Sequence, residues 1–287
     1  MRVESIVGNV AEQQTARSLL AAAIARGVDR LDAETLLGAV VRRSRAHLIA
    51  FDEEAVDELS AAMFEAGLAR RASGEPLAYI TGVREFWSLP LVVSPAVLIP
   101  RPETELLVEL CLKRLDNRPH RIADLGTGSL AIAAALASER PGWSIVATDR
   151  SSEALAIAAF NRNRLKLTNI ELRAGDWCTA LGNDLVAQGF DAILANPPYV
   201  LPGDPALQAL SHEPLGALVA DNEGYADLFA VSAGARQYLQ SGGLLLLEHG
   251  TSQAARLAAE LVGLGYARVV CHRDLAGHDR VTEAVWP

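Results

Sequence analysis

Two hydrophobic rhythms divide the chain. Up to about residue 82, apolar positions recur at intervals of three and four, the spacing of one helix face. "TARSLLAAAIARGV" has this pattern, and Gly27 stands where such a helix would stop. "LDAETLLGAVV" offers Asp32 as an N-cap, although Thr35, three residues on, is neither the acid nor the amide of a capping box. "DEEAVDELSAAMFEAGLARRASG" opens on three acids and closes on Arg70 and Arg71 before Gly74, the polarity a helix dipole favours. No strand pattern interrupts this region. It predicts a mildly acidic helical bundle over 1–82.

The rhythm then changes. "REFWSLPLVVSPAVLIPRP" mixes aromatics, valines and four prolines. Proline is excluded from helix interiors and suits sheet edges, so residues 83–101 read as a short β-hairpin or extended linker. Phe86 and Trp87 are most simply packing between domains. From Pro102 to Pro287 short apolar runs alternate with helical ones. The candidate strands are "RIADLG", "SIVATD", "IELRAGD", "FDAILANPP", "GGLLLLEHG", "ARVVCHRD" and "RVTEAVW". Fully apolar strands separated by helices imply a mostly parallel sheet covered on both faces, a Rossmann-like α/β fold. The last two strands are joined only by "DLAGHD", which predicts an antiparallel hairpin at the sheet edge.

Composition narrows the function classes. The 287 residues are half hydrophobic, enough for a sizeable core. A net charge of −9 disfavours a general binder of nucleic acid or anionic membrane. Only Lys113 and Lys166 among the 26 basic residues are lysines, a compositional bias. Cys111, Cys178 and Cys271 lie far apart, with no CxxC and no metal-ligand spacing, which fits a reducing, cytoplasmic setting and no metal. His272 and His278 also lack partners at ligand spacing. "MRVESIVGNVAEQQ" has no cleavage pattern of a leader, and no apolar run approaches a membrane span.

The chemistry gathers at strand ends, where open α/β sheets bind ligands. The first strand runs into Asp124-Leu125-Gly126-Thr127-Gly128-Ser129. Glycines let a backbone approach a ligand and turn into a helix, whose N-terminus offers free N–H groups to an anion. The second strand ends in Asp149, placed to accept ribose hydroxyls. A dinucleotide GxGxxG would need glycine at 131, which is Ala131. A nucleoside with a carboxylate-bearing tail, such as S-adenosyl-L-methionine, suits the loop better. Asp176-Trp177 follows the third strand and reads either as an adenine-flanking indole or as a capped helix start with a buried ring.

The fourth strand ends in Asn196-Pro197-Pro198-Tyr199, beside the glycine loop. Proline holds the preceding asparagine in an extended backbone. Two prolines leave carbonyl acceptors with no competing N–H. With the Asn196 amide these make a rigid cradle for a planar NH2 group, against which Tyr199 can stack. An amide or aromatic amine is a poor nucleophile, and such positioning lowers its barrier. The cradle suits a glutamine amide and an adenine amine alike. Glu248-His249, adjacent on a strand, point to opposite faces and read as structural.

With "GEPLAYITGVREFWSLPLVVSPAVLIPRPETE", "DLGTGS", "NPPY", "HEPLGALVA" and "DLAGHDRV" in view, the chain closely resembles the HemK/PrmC family of peptide chain release factor N5-glutamine methyltransferases over nearly its whole length. The resemblance implies an N-terminal helical domain (1–82) that recognises substrate, a hairpin linker (83–101) and an S-adenosylmethionine-dependent methyltransferase domain (102–287). It implies methyl transfer to the glutamine of the release factors' GGQ motif, with release factors as partners and neither nucleic acid nor membrane bound directly. Carried over by match, Gly126, Thr127, Gly128, Ser129, Leu130, Asp149, Trp177 and Asn196 bind S-adenosyl-L-methionine. Asn196, Pro197, Pro198 and Tyr199 hold the glutamine, with Asn196 and Tyr199 catalytic. Two departures stand out. The family's loop usually has glycine where this chain has Leu130, which is strained if its φ is positive and tolerated if, as we expect, it opens the following helix. "LQALSHEP" is shorter than the usual segment before Glu213. The rival readings are an adenine-N6 methyltransferase acting on DNA or RNA, which would need a flipped base and a basic groove, and a non-catalytic methyltransferase-like binding protein.

Overall fold

A computed structural model describes residues 14–186 and 189–287. The expectation of no leader at the N-terminus rests on residues that fall, up to residue 13, outside the described ones. The described residues divide into a unit ending at Thr81 and a unit Gly82–Pro287.

Side-chain oxygens set four helices of the first unit. Thr15 caps Ala16–Ala25, Asp29 caps Arg30–Val41, Ser44 caps Arg45–Ala50 and Asp57 caps Glu58–Ala72. A further short helix is Leu77–Thr81. The N-cap expected at Asp32 is Asp29, whose carboxylate accepts from the N–H groups of Leu31 and Asp32. The helix Glu58–Ala72 also starts later than the run of acids at 52–54 suggested, because Asp57 supplies the cap. Leu19, Leu36, Leu37, Phe64 and Leu68 close the core of this unit. Glu34 is buried within it, paired with Arg30 and Arg45.

The second unit opens with β1 (Val83–Phe86) and β2 (Leu89–Val92), an antiparallel pair. Trp87 and Ser88 turn between them, both at positive φ, the sense that matches strand twist in a two-residue hairpin. Phe86 and Trp87 pack on the core of their own unit, and the Trp87 indole N–H donates to Glu139 at 2.8 Å.

The remaining strands are β3 (Arg121–Leu125), β4 (Ser144–Asp149), β5 (Ile170–Ala174), β6 (Phe190–Ala195), β7 (Leu239–Glu248), β8 (Ala267–Arg273) and β9 (Asp279–Val285). They form one sheet in the order β5-β4-β3-β6-β7-β9-β8. Pairing is parallel from β5 through β7, and β9 is antiparallel to both β7 and β8. All seven expected strands and the terminal hairpin are present. Two apolar layers cover the sheet, one holding Leu107, Leu136 and Trp143, the other Leu228, Val231 and Leu257. The chain runs from β3 outward to β4 and β5, then returns to place β6 on the other flank of β3. That reversal opens a crevice at the carboxyl ends of β3 and β6, where the glycine loop and Asn196-Pro197-Pro198-Tyr199 begin.

Candidate active site

The glycine loop is held by its neighbours before any ligand arrives. The N–H groups of Gly126 and Thr127 both donate to the Thr148 carbonyl, at 2.9 and 2.8 Å. Gly128 N–H donates to Asp149 Oδ2 at 2.9 Å. The Thr127 hydroxyl donates to Asp124 Oδ2 at 2.6 Å, and Ala133 N–H reaches the same oxygen at 3.2 Å. Gly126 has φ +74, and a Cβ there would stand 2.9 Å from the Trp177 ring, so both backbone and packing require glycine.

Leu130 is a correction to the sequence reading. It does not open the helix Ala131–Glu139 in helical geometry but precedes it as the N-cap, at φ 77 and ψ 18. This is the left-handed region in which glycine is free of the Cβ penalty. The side chain is fully buried in the core, between sheet and helix. Unlike the other expected cofactor residues, Leu130 is absent from the lining of the cavity described next.

That cavity, of about 260 Å³, lies at the carboxyl ends of β3, β4 and β6. Gly126, Thr127, Gly128, Ser129, Asp149, Trp177 and Asn196 all line it. Asp149 Oδ1 accepts from Ser151 N–H at 2.9 Å, so each carboxylate oxygen has one backbone donor and keeps acceptor capacity for hydroxyls. Gly128 has nothing within 4 Å of where a Cβ would stand. Trp177 presents a flat apolar wall, fixed by its indole N–H donating to Asp227 at 3.0 Å. A carboxylate for vicinal hydroxyls, an aromatic wall and an open loop at a helix N-terminus fit a nucleoside with an amino-acid tail.

A second cavity, of about 90 Å³, is lined by Asn196, Pro197, Pro198 and Tyr199 together with Leu210 and Leu218. Leu98, Arg101, Asn196, Pro198 and Ala217 line both cavities. The two therefore adjoin at the start of the proline loop. Arg101 is tied to the buried Glu213 carboxylate, which also accepts from Ile99 N–H at 3.0 Å. Glu213 thus clasps the linker that walls both cavities.

Behind the loop lies a buried polar group. Asn196 Nδ2 donates to Thr104 Oγ1 at 3.2 Å. Thr104 also sits beside the Glu248 carboxyl and favours its charged form. The Tyr199 hydroxyl reaches Glu248 Oε1 at 3.4 Å, while Oε2 is buried without a hydrogen-bond partner. Burial pushes Glu248 up to about 7, against the pull of Thr104 and Arg280. Burial, reinforced by Glu248, pushes the Tyr199 phenol up to about 12, so Tyr199 is no general base near neutral pH. Asp124, fully buried, is raised by desolvation to about 6.

Glu248 and His249 do face opposite ways. His249 turns to Thr282, 2.9 Å from its hydroxyl. Sequence reasoning saw that divergence but not that Glu248 reaches the proline loop. It also passed over Thr104 and Arg101, from "PRPETE", and Asn161. The Asn161 side chain binds Val92 N–H and C=O and the Ser129 carbonyl, joining the hairpin to the glycine loop. The signal that could have exposed it is its spacing: in the last turn of the helix Ser152–Arg164, Asn161 falls three residues after Ala158 and seven after Ala154, on the buried apolar face. Among the described residues no cluster of His, Cys, Asp and Glu could hold a metal ion, and no helix is long and apolar enough to cross a membrane.

Comparison with known proteins gives a consistent set of relatives. Residues 13–82 match the family model described as the PrmC N-terminal domain, and residues 102–213 match the methyltransferase small domain. The chain is 48% identical over 255 residues to the release factor glutamine methyltransferase of Escherichia coli (strain K12), covering 88% of this chain and 91% of that protein. It is 46% identical over 256 residues to the protein of the same name from Coxiella burnetii, covering 89% and 91%. Among solved structures, a methyltransferase from Pyrococcus furiosus superposes with a TM-score of 0.53 over 76% of this chain and 96% of that one, at 19% identity, a likeness of fold.

Proposed function

Because the chain belongs to the release factor glutamine methyltransferase family, we propose that its adjoining cavities bring S-adenosyl-L-methionine and the GGQ glutamine of a release factor together for methylation of the side-chain amide nitrogen. The observation that carries this reading is the shared wall: Asn196 and Pro198 border both the larger cavity and the smaller one. S-adenosyl-L-methionine, when bound, supplies an electrophilic methyl group. Asp149 accepts its ribose hydroxyls, Trp177 packs along its base and the loop Gly126–Ser129 receives its tail.

The chain's own residues then act on a weak nucleophile. An amide lone pair is delocalised into the carbonyl, so the nitrogen must be held with that lone pair aimed at the methyl carbon. Asn196 Oδ1 and the Pro197 carbonyl accept the two N–H bonds of the glutamine amide, and Tyr199 stacks on its plane. These hydrogen bonds strengthen as the nitrogen gains positive character, so they stabilise the transition state more than the ground state. The walls from Leu98, Leu210 and Leu218 exclude water. The S–CH3 bond breaks as the N–CH3 bond forms, the neutral thioether is the leaving group, and one N–H proton passes to water at the cavity mouth, so the product amide carries N–CH3 in place of one N–H.

Residues 13–82 recognise the folded release factor, in keeping with their match to the PrmC N-terminal domain. A short GGQ peptide should accordingly be a poor substrate, since it forfeits remote binding energy. The test is methyl incorporation, read by mass spectrometry, into a recombinant release factor, its GGA variant and duplex DNA side by side. Labelling confined to the GGQ factor supports the reading. Equal labelling of the GGA variant, or preferential labelling of DNA, refutes it.

A further inference from the structure

The proline loop contains the groups that would touch a substrate amide, but nothing within it decides which end of the Asn196 side chain faces that amide. The amide oxygen accepts and the amide nitrogen donates, and the two ends have nearly the same shape. Only the oxygen can receive an N–H from a substrate NH2 group. The nitrogen would set donor against donor. Something outside the loop must fix the choice.

We propose that Glu248 is a positioning residue that fixes the Asn196 amide through the Thr104 hydroxyl, turning Oδ1 of Asn196 toward the substrate. This rests on the methyl-transfer reading above. The chain of contacts is short. Asn196 Nδ2 lies 3.2 Å from Thr104 Oγ1, and Thr104 stands beside the Glu248 carboxyl. Glu248 is 1% exposed, and its Oε2 has no hydrogen-bond partner. No hydrogen bond joins Thr104 to Glu248 in this structure, and Oε2 is the buried acceptor left open; an ionised carboxylate can only accept, so it draws the single Thr104 proton toward that oxygen. The Thr104 oxygen is left with lone pairs alone toward Asn196 and must receive an N–H. Nδ2 is then committed to Thr104 and Oδ1 to the cavities.

A neutral group at 248 removes this constraint. A protonated carboxyl or an amide can donate to Thr104, whose own proton then turns toward Asn196. The Asn196 amide can now reverse and present NH2 to the substrate. Three other groups bear on the same carboxyl. The Tyr199 hydroxyl reaches Oε1 at 3.4 Å from the loop after β6. Arg280 on β9 favours the charged form, and Glu103, in the turn that carries Thr104, opposes it. His249 points away, to Thr282. With the Glu248 carboxyl raised to about 7 by burial, its charge changes within the working range of pH.

The experiment compares the full-length wild type with Glu248→Gln, Thr104→Val and Thr104→Ser. Glu248→Gln should lower kcat on release factor by roughly 10- to 100-fold, with little change in KM for S-adenosyl-L-methionine. The wild-type rate should rise with pH through about 7, and Glu248→Gln should hold the low-pH rate throughout. Thr104→Ser keeps the hydroxyl and should retain far more activity than Thr104→Val. Adding Glu248→Gln to Thr104→Val should cost little more, because the link is already cut. A second readout needs no substrate. The Asn196 side-chain NH2 resonances, assigned by their loss in Asn196→Ala, should shift with pH through about 7 in the wild type and stay fixed in Glu248→Gln. Wild-type kcat and pH profile in Glu248→Gln, or Asn196 resonances indifferent to pH in the wild type, would overturn the proposal. Inactivity of the wild type on release factor would instead count against the methyl-transfer reading, with the resonances still deciding the role of Glu248.

Discussion

Placing one methyl group on Gly126 should destabilise the protein by about 1–3 kcal/mol. The figure has separable parts. Gly126 lies at φ +74, where a Cβ meets the following carbonyl oxygen at a cost of about 1–2 kcal/mol. The same Cβ would stand 2.9 Å from Trp177 Cζ3 and 3.3 Å from Cη2. Gly126 is exposed and the Trp177 ring only half-buried, so the ring can give, and the crowding costs about 1 kcal/mol, the lower end of overpacking. Alanine is also stiffer than glycine in the unfolded chain, which returns about 0.4–1 kcal/mol. The two penalties can be told apart because only one depends on Trp177. In a double-mutant cycle, Trp177→Phe withdraws the far ring edge and should recover about 1 kcal/mol of the Gly126→Ala cost. Urea unfolding gives the stabilities, and calorimetry with S-adenosyl-L-methionine shows whether the displaced indole also weakens the cofactor site. A Gly126→Ala variant within about 0.5 kcal/mol of wild type would falsify the derivation, since neither strain nor crowding could then be present. A full cost with no coupling to Trp177 would locate it in the backbone alone.

Four further outcomes follow from the same geometry. Leu130→Gly relieves a left-handed leucine, worth about 1–2 kcal/mol, but empties a fully buried position, which costs about 2–5 kcal/mol; it should melt lower than wild type without tighter cofactor binding, and a higher melting temperature would contradict this. Asp149→Ala removes acceptors from the ribose and a partner from Gly128 N–H, so S-adenosyl-L-methionine should bind more weakly by roughly 1–3 kcal/mol; unchanged affinity by calorimetry would remove Asp149 from the site. Asn196→Ala should lose most methyl transfer, and near wild-type labelling of release factor would exclude the amide clamp. Glu248 and Asp124 are raised by burial to about 7 and about 6, so the folded state binds their protons more tightly than the unfolded state does. Their contribution is complete below the ordinary carboxylate range and lost as pH rises through those values. Each pH unit of displacement corresponds to about 1.4 kcal/mol, so Glu248→Gln should gain stability relative to wild type between pH 5 and pH 8, and a constant difference would show that Glu248 titrates normally.

Much of this protein was legible in order along the chain. The helical and strand rhythms, the seven strands, the terminal hairpin and the two strand-end motifs are local patterns, and local patterns survive in a one-dimensional reading. Asp149 and Asn196 could be singled out because open α/β sheets collect ligands where strands end. Leu130 shows the limit. Its neighbours fit a helical pattern, and only the backbone exit from β3, pinned by Thr148 and Asp124, forces it into left-handed geometry. The cap at Asp29 was a choice between two nearby aspartates that only the folded turn decided. Residues 92, 129 and 161 meet around one side-chain amide, residues 104 and 196 at one hydroxyl, and residues 199 and 248 at one carboxyl. No periodicity relates positions so far apart. A buried polar group takes whatever partner the packing of sheet, helix and loop brings within about 3 Å. Sequence determined which elements form and which chemistry sits at their ends. Tertiary structure decided which end meets which, because the reversal of strand order at β3 sets the glycine loop beside the proline loop and brings Glu248 in behind it.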